Sequence, residues 1–230
     1  MLDRNWSGLQ KVLDAPSRQE LIGRARTLKV RKGQAVLSRG EPSNEIFVIL
    51  EGRLQVVLYS TDGREVSLRD LREGELFGEL GAIDGAARSA GVVAAADGRL
   101  LAISRESFRK VVLGSPEAAL WLVSRLTWQI RGLTDRVFEL SALNVRARVH
   151  CELLRMARAQ MSGVRHELTH AELASRIGTH REAVTRELKA LADQNIIRSG
   201  RRRLEVVDAP ALEAIVVTGL GAPTELEGGW

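Results

Sequence analysis

The sequence predicts an α+β protein in two parts, and three observations lead to this prediction. Between residues 28 and 103, short β-rich runs are separated by turns that contain glycine, a pattern typical of antiparallel strands. From residue 116, apolar residues recur at heptad spacing, which indicates one long helix. After residue 168, two capped helices flank a glycine and are followed by a short hairpin. We therefore expect a β-sandwich or β-barrel, then the long helix, then a helix–turn–helix.

The β-rich region divides into individual strands. We expect strands over residues 45–50, 54–59, 65–71, 91–96 and 100–103. Glycines at positions 52, 63, 74 and 85 recur every 11 residues, as turns between short antiparallel strands do, and Asp62 and Gly63 predict a tight hairpin turn. Ahead of the strands, residues 1–24 are expected to form two short helices around Pro16.

The stretch FGELGAIDGAARSA interrupts the strand pattern with a predicted short helical turn. Gly78 and Gly81 allow close approach of the backbone, Glu79 offers acceptors for a sugar hydroxyl, and Arg88 with Ser89 offers donors for a phosphate. These residues predict a phosphate cradle. The alternative is a glycine-bent hairpin in which Glu79 and Arg88 form a surface ion pair.

The long helix is expected over residues 116–140, with a seam for a second copy of the chain. The seam consists of Ala119, Val123, Leu126, Ile130, Leu133, Val137 and Leu140. Its spacing predicts a parallel homodimer. Burial against the β domain is the alternative, because another face carries Trp121, Leu122 and Trp128, and different faces of the helix can serve both purposes. We expect a domain boundary near residue 140, a hinge over residues 141–145 and a further helix over 147–159.

Two candidate capping boxes mark the helix–turn–helix. Thr169 precedes Glu172, and Thr179 precedes Glu182, each at the spacing that starts a helix, while Gly178 separates the two helices. On the second helix, one face is apolar for packing and the opposite face is polar and exposed. The apolar face carries Val184, Leu188 and Leu191, and the exposed face carries Arg181, Glu182, Thr185 and Arg186.

The exposed face suits the major groove of DNA, where arginine binds guanine and glutamate accepts from cytosine. For Glu182 we leave base reading and helix capping as equal alternatives. Residues 196–206 predict a hairpin with Gly200 at its turn and residues 201–203 beside it, either as a basic wing for phosphates or as a solvated turn. The charge distribution agrees with a polyanionic partner, because residues 141–203 contain 13 Lys and Arg against 6 Asp and Glu.

The composition excludes several classes of protein. The chain has 230 residues, of which 44% are hydrophobic and 27% charged, as expected for a globular protein. An apolar run of about 18 residues and a signal peptide are both missing from the sequence, so we expect a cytoplasmic protein without a membrane span. The single cysteine, Cys151, rules out an intramolecular disulfide or a cysteine-only iron–sulfur or metal site, and we expect it to be buried in a helix.

The whole order of parts resembles the superfamily of bacterial transcription factors that contains the cAMP receptor protein and the fumarate–nitrate regulator. The resemblance covers about residues 20–207 and depends on the FGELG…RSA cassette and the helix–turn–helix. It implies a cyclic-nucleotide-binding β-roll over residues 1–115, a dimerisation helix over 116–140 and a winged helix–turn–helix over 141–207. Residues 208–230 remain as an acidic C-terminal tail without a counterpart.

The resemblance also implies residue roles and partners. Gly78, Glu79 and Leu80 would hold the cyclic phosphate and ribose, and Arg88 with Ser89 would bind the phosphate. Double-stranded DNA with TGTGA-like half-sites is the expected target, together with RNA polymerase as a partner. The expected DNA-binding set is Thr169, Thr179, His180, Arg181, Glu182, Thr185, Arg186, Arg201 and Arg202.

The effector is expected to be cAMP, with cGMP as the alternative. Relatives place a Thr-Ser pair on the long helix to meet the adenine, and the corresponding pair here is Thr134 and Asp135, whose carboxylate could also accept from the guanine edge. We expect no haem, because all four histidines lie beyond residue 140, and no metal or iron–sulfur cluster. The β-rich region lacks a histidine–carboxylate cluster or an activated nucleophile, which argues against a nucleotide-processing enzyme. A ligand-independent DNA-binding dimer with a vestigial cradle is the remaining alternative.

Overall fold

A computed structural model describes residues 8–42, 44–61, 63, 65–161, 168–200 and 203–220. Contacts within the chain divide it into two units, Met1–Arg131 and Gly132–Trp230. The division falls within the long helix, ahead of the boundary expected near residue 140. In the ranges described, the helices fall short of the length and apolar character that crossing a membrane requires.

The first unit contains two four-stranded antiparallel sheets, so the choice between a sandwich and a barrel is resolved in favour of two sheets. The strands are β1 (Arg26–Val30), β2 (Ala35–Leu37), β3 (Glu45–Glu51), β4 (Leu54–Tyr59), β5 (Glu65–Leu71), β6 (Leu76–Phe77), β7 (Gly91–Ala94) and β8 (Gly98–Ser104). One sheet has the order β1-β8-β3-β6, and the other has the order β2-β7-β4-β5. The helices of this unit are α1 (Gly8–Val12), α2 (Ala15–Gly23), α3 (Glu79–Asp84) and α4 (Arg105–Gly114).

Strand β3 is buried on both faces, which explains its continuous apolar sequence. Phe47 and Ile49 point into a core shared with the second sheet, whereas Ile46 and Val48 pack with the helices. The two sets alternate because successive side chains of a strand point to opposite faces. The helical layer brings α1, α2, α4 and the start of the long helix against the first sheet.

The prediction of turns between strands is confirmed at Gly52, Gly63 and Gly74, whereas Gly85 instead ends helix α3. Gly52, Gly63, Gly74 and Gly85 have φ of 95°, 80°, 79° and 80°. Strands β4 and β5 pair antiparallel, as the hairpin prediction requires, although Asp62 lies outside the described residues. Strands β1, β2 and β6 and helix α4 were not among the predicted elements. Helix α4 begins with Ser104 Oγ accepting from the Ser107 amide at 3.1 Å.

The long helix α5 (Pro116–Ala142) has one face packed and another exposed. Ala118 and Leu122 are buried in the helical layer of the first unit. Five of the seven residues of the predicted seam have more than half of their surface exposed: Val123 58%, Ile130 63%, Leu133 55%, Val137 63% and Leu140 51%. Trp128, expected on the packed face, is 43% exposed, so that part of the alternative is wrong.

The second unit adds α6 (Val145–Met161), α7 (His170–Ile177), α8 (Arg181–Asp193), β9 (Ile197–Gly200), β10 (Arg203–Val206) and α9 (Ala209–Leu220). Cys151 is buried in α6, as predicted. The acidic tail expected from residue 208 is wrong over its first part, because residues 209–220 form α9. Leu212 and Val216 of this helix are buried in the core, and burial of this apolar run outweighs the surrounding acidic charge.

The predicted hinge coincides with the break between two helices. Helix α5 ends at Ala142 and α6 begins at Val145. Asn144 starts the new helix, because its Oδ1 accepts from the Ala147 amide at 2.9 Å.

Five charged side chains form a cluster, here called the ion cluster, that joins α5, α6 and α7; its two glutamates are buried and its three arginines are partly buried. Its members are Arg136 and Glu139 of α5, Glu152 and Arg155 of α6, and Arg176 of α7. Glu152 Oε2 lies 2.8 Å from Arg155 Nη2 and 3.2 Å from Arg136 Nη2, and its Oε1 lies 3.2 Å from Arg176 Nη1. Glu139 Oε2 accepts from Arg155 Nη2 at 3.0 Å and from Arg136 Nη1 at 3.1 Å.

Candidate functional sites

Gly78 shapes the cradle through both its backbone and its missing side chain. It precedes α3 with φ 81° and ψ 10°, in the left-handed region that glycine adopts without a steric penalty. A Cβ on Gly78 would lie 2.7 Å from Arg88 Nη1. A side chain at this position would therefore push the Arg88 guanidinium away from its observed position.

Arg88 is a buried cation held by backbone carbonyls. Its Nη1 donates to the Gly78 carbonyl at 2.8 Å and its Nη2 donates to the Glu45 carbonyl at 2.6 Å. Among the described residues, its Nε is buried and has no hydrogen-bond partner, and no carboxylate pairs with the guanidinium. Burial lowers the pKa of Arg88, although Glu45, Glu41 and Glu79 oppose this shift. The position would be stabilised by an anion.

Glu79 lies beside this cation without pairing with it. The side chain is 5% exposed, and its Oε1 accepts from Gln129 Nε2 of α5 at 3.2 Å. The alternative of a surface ion pair between Glu79 and Arg88 is wrong, because both are buried and each has other partners. Gln129 was missed in the sequence analysis, since fifty residues separate it from Glu79 and no local pattern links them.

A second cation, Arg125 of α5, is partly buried and lies near enough to Glu79 for the two charges to interact. Its Nη2 donates to the Leu76 carbonyl at 2.6 Å, and its guanidinium carbon lies 5.9 Å from the centre of the Trp121 ring. Burial lowers the pKa of Arg125, and the charge of Glu79 opposes this shift. Arg125 was not predicted as a site residue, because an arginine within a heptad pattern is usually exposed to solvent.

The structure brings some of the predicted ligand residues together and leaves the others untested. Gly78, Glu79 and Arg88 meet, as their contacts show. Leu80 is 43% exposed on α3, and Ser89 is exposed beside Arg88. Thr134 and Asp135 are exposed on the part of α5 that belongs to the second unit. Their roles toward a ligand stay predictions.

Replacing Gly78 by alanine is expected to destabilise the first unit by about 1–3 kcal/mol, because alanine is strained at this φ and its Cβ would displace Arg88. Thermal unfolding followed by circular dichroism measures the loss. Gly33→Ala is the matched control, since Gly33 has φ 82° and no described atom within 4 Å of a built Cβ. Equal losses of stability in the two variants would show that the contact between a Cβ at position 78 and Arg88 does not affect stability.

The first helix of the helix–turn–helix starts as predicted. The Glu172 amide donates to Thr169 Oγ1 at 3.2 Å, and the Thr169 amide donates to Glu172 Oε2 at 2.6 Å, which completes the capping box. Gly178 ends the helix in the left-handed conformation with φ 67°. The hydroxyl of Thr169 is thus engaged in capping, and its role in DNA binding stays a prediction.

The second predicted capping box is wrong. Helix α8 begins at Arg181, and its N-cap residue is His180, whose side chain makes no cap hydrogen bond. The Thr179 amide donates to the Ala174 carbonyl at 3.0 Å, so Thr179 belongs to the turn that closes α7 and the helix starts one residue later. Glu182 therefore loses its competing role as a capping residue.

The two faces of α8 are as predicted. Val184, Leu188 and Leu191 are buried in the core of the second unit. The opposite face exposes Arg181, Glu182, Thr185 and Arg186, and His180 is exposed ahead of them. The hydroxyl of Thr185 is also engaged, because it lies 2.9 Å from Nδ1 of His170.

Strands β9 and β10 form the predicted wing. Gly200 pairs with Arg203, so it ends a strand rather than occupying the turn. Arg201 and Arg202 lie outside the described residues. Arg198, which the sequence analysis did not select, is exposed on β9 and adds a cation to the wing.

Comparisons with known proteins agree with this division into two modules. The sequence model of the cyclic nucleotide-binding domain matches residues 27–114, and that of the Crp-like helix-turn-helix domain matches residues 147–215. The chain is 34% identical to the cyclic AMP receptor protein of Thermus thermophilus over 80% of its own length and 85% of the relative's. The chain belongs to the CRP/FNR superfamily. It is accordingly a transcription regulator with a cyclic nucleotide-binding domain and a DNA-binding domain, and not an enzyme.

Solved structures of CRP/FNR proteins have the same fold. A transcriptional regulator of this family from Thermus thermophilus is 25% identical, with a TM-score of 0.69 over 84% of this chain and 100% of that chain. FixK2 from Bradyrhizobium japonicum is 22% identical, with a TM-score of 0.74 over 83% of this chain and 96% of that chain. The α+β fold predicted from the sequence is therefore confirmed.

Proposed function

We propose that this CRP/FNR chain is a homodimeric regulator whose binding to TGTGA-like palindromes responds to a cyclic nucleotide. The effector favoured is cAMP, with cGMP as its competitor. A cytoplasmic location and contact with RNA polymerase belong to the same proposal. The observation that carries it is the buried guanidinium of Arg88.

Arg88 supports an anionic effector on electrostatic grounds. Its two hydrogen-bonded partners are neutral carbonyls, and its Nε is buried without a partner among the described residues. A buried cation without a paired anion is costly, and a phosphate bound beside it would recover part of that cost. The neighbouring Ser89 hydroxyl and the Glu79 carboxylate would supply further hydrogen bonds to the phosphate and the ribose.

The choice between purines depends on α5. A threonine at position 134 can accept from the adenine amino group, whereas an aspartate at 135 can accept from the two N–H donors of guanine. The similarity to the cyclic AMP receptor protein of Thermus thermophilus favours cAMP. Replacing Asp135 by serine should therefore weaken cGMP binding and leave cAMP binding unchanged, as isothermal titration calorimetry can measure.

The exposed seam of α5 supports the homodimer. Five of its apolar residues are more than half exposed in the single chain, at the spacing of a coiled coil. Such a stripe is unfavourable in water and would be buried by the same stripe of a second copy. A symmetric dimer would then carry two copies of α8, about 34 Å apart for one turn of DNA.

Leu133→Glu is expected to raise the dissociation constant of the dimer by about 100-fold or more, because the burial of two leucine side chains is lost in a symmetric pair. Sedimentation velocity over a range of concentrations measures the effect. Leu113→Glu is the matched control, since Leu113 is 74% exposed on α4 and lies outside the seam. A dimer that tolerates both glutamates equally would mean that α5 is not the interface.

DNA recognition is assigned to the exposed face of α8. Arg186→Ala should weaken the free energy of binding to a matched operator by about 1–3 kcal/mol, because a bidentate contact with guanine is lost. Binding to a scrambled duplex should weaken much less. Arg202→Ala should weaken both duplexes similarly and reduce the salt dependence, as expected for a phosphate contact. Equal losses on both duplexes for Arg186→Ala would exclude base reading by this residue.

The whole proposal is tested by fluorescence anisotropy with a labelled TGTGA-N6-TCACA duplex. Protein is titrated at fixed salt without nucleotide, with cAMP and with cGMP, and a scrambled duplex is the control. Tightening with one nucleotide identifies the effector. Specific binding of equal strength in all three conditions would contradict the sensor function and leave the DNA-binding function standing.

A further inference from the structure

The side chains of His170 and Thr185 join the two helices of the helix–turn–helix. His170 is the first residue of α7, and Thr185 lies on the exposed face of α8. The imidazole Nδ1 and the threonine Oγ1 are 2.9 Å apart, a hydrogen-bond distance. The bond therefore connects the start of one helix to the surface that we assign to base reading.

The position of His170 is fixed by its surroundings. It follows Thr169, whose side chain and amide are both engaged in the capping box with Glu172. Further along α7, Leu173 and Ile177 are buried in the same core as Val184 and Leu188 of α8. The two helices thus share one core, and the imidazole reaches Thr185 from a backbone that the capping box holds.

Thr185 occupies a central place on the exposed face of α8. It is one helical turn after Arg181 and directly precedes Arg186, both exposed. A threonine in a helix divides between two side-chain rotamers. The bond to His170 selects one of them and thereby fixes the direction of the hydroxyl group.

The bond also determines which hydrogen-bonding role remains for DNA. A hydroxyl has one donor and two acceptor lone pairs. If Nδ1–H of His170 donates, it occupies one lone pair of Oγ1, and the threonine proton is left to point at an acceptor such as guanine O6 or thymine O4, beside one remaining lone pair. If Nδ1 accepts, the lone pairs of Oγ1 are left for the amino group of adenine or cytosine.

We propose that His170 is a positioning residue for base recognition, which acts by setting the orientation and the hydrogen-bonding role of the Thr185 hydroxyl. The inference rests on the proposed function, because it requires α8 to read bases. It assigns to α7 a part in sequence selectivity beyond its packing role.

The test compares His170→Ala with wild type on a panel of duplexes in which each base pair of the half-site is changed in turn. Anisotropy at fixed salt gives the base preference at every position. His170→Ala should reduce the preference by about three- to ten-fold at one position, as expected for one hydrogen bond, and leave the others unchanged. Thr185→Val, which keeps the shape and removes the hydroxyl, should reduce the preference at the same position.

Two further variants exclude a merely structural effect. His170→Asn can place an amide atom near the position of Nδ1 and should restore the preference, which a change in folding or packing would not do. The double variant His170→Ala, Thr185→Val should behave like either single variant, because both remove the same bond. An unchanged base preference in His170→Ala, or additive losses in the double variant, would overturn the inference.

The failure of this inference is distinguishable from failure of the proposed function. If the wild-type protein does not discriminate the operator from the scrambled duplex, base reading by α8 is itself wrong. If wild type discriminates and Arg186→Ala loses affinity while His170→Ala keeps the full preference pattern, only the role of His170 is wrong.

Discussion

Glu152→Gln is expected to lower the free energy of unfolding of the second unit by about 3–5 kcal/mol, the usual cost of removing one partner from a buried ion pair. The ion cluster contains three arginines and two glutamates, and the substitution leaves Glu139 as its one carboxylate, which contacts Arg136 and Arg155. Glutamine keeps the volume and some hydrogen bonds of glutamate. The loss would therefore be electrostatic.

Hydrogen exchange in the native state measures this effect within a single chain. Peptides from α6 and α7 should lose protection, whereas peptides from β3 and β8 of the first unit provide the internal reference. Glu213→Gln is the matched control, because Glu213 forms an exposed pair with Arg158 at 3.1 Å and such pairs contribute about 0–1 kcal/mol. Protection that is equal in the two variants would show that the cluster does not stabilise the unit.

The same cluster predicts how stability depends on pH. Burial alone would raise the pKa of Glu152, but attraction by Arg155, Arg136 and Arg176 outweighs burial and holds this pKa well below its usual range. A carboxylate whose pKa is lower in the folded state stabilises the fold at pH values above its pKa in the unfolded chain, about 4.3. This stabilisation is lost as the pH falls toward the pKa of the folded state. The difference between wild type and Glu152→Gln should thus be complete at neutral pH and shrink below about pH 4.

Arg88→Gln is expected to weaken cAMP binding by about 100-fold or more, since two charge-assisted hydrogen bonds to a phosphate are lost. Arg88→Lys should bind with intermediate affinity, because an ammonium keeps the charge but has three donors on one nitrogen, too few for the two carbonyls and two hydrogen bonds to the phosphate. Isothermal titration calorimetry measures both. The melting temperature of each variant separates lost binding from lost folding.

Arg99→Gln is the control for Arg88→Gln within the same unit. Arg99 makes a bidentate pair with Glu51 at the surface and is far more exposed than Arg88. Its replacement should leave nucleotide affinity unchanged. Affinity at the wild-type level in folded Arg88→Gln would remove this arginine from the ligand site.

Local patterns in the sequence predicted most of the fold. Strands β4 and β5 were expected at their observed bounds because their apolar residues and flanking glycines signal strand and turn together. The failures have physical causes. Helix α9 was missed because acidic residues around it suggested a solvated tail, and Thr179 was misassigned because a spacing cannot reveal that its amide closes the preceding helix.

Within the candidate sites, only the proximity of residues that are close in sequence was predicted. Gly78, Glu79 and Arg88 lie within one cassette, and their proximity could be inferred. The contact of Gln129 with Glu79, the bond between His170 and Thr185, and the carbonyl of Glu45 beneath Arg88 join residues 15 to 50 positions apart. Such contacts depend on packing between elements, which periodicity does not encode.

The ion cluster opposes bending at the break between α5 and α6. Arg136 and Glu139 precede this break, whereas Glu152, Arg155 and Arg176 follow it. Ion pairs therefore connect the helices on the two sides of the break. Bending there would separate buried charges at a cost of several kcal/mol. We therefore expect the last turns of α5 to turn together with α6 and α7, so that a rotation of the end of the long helix would also rotate the first helix of the helix–turn–helix.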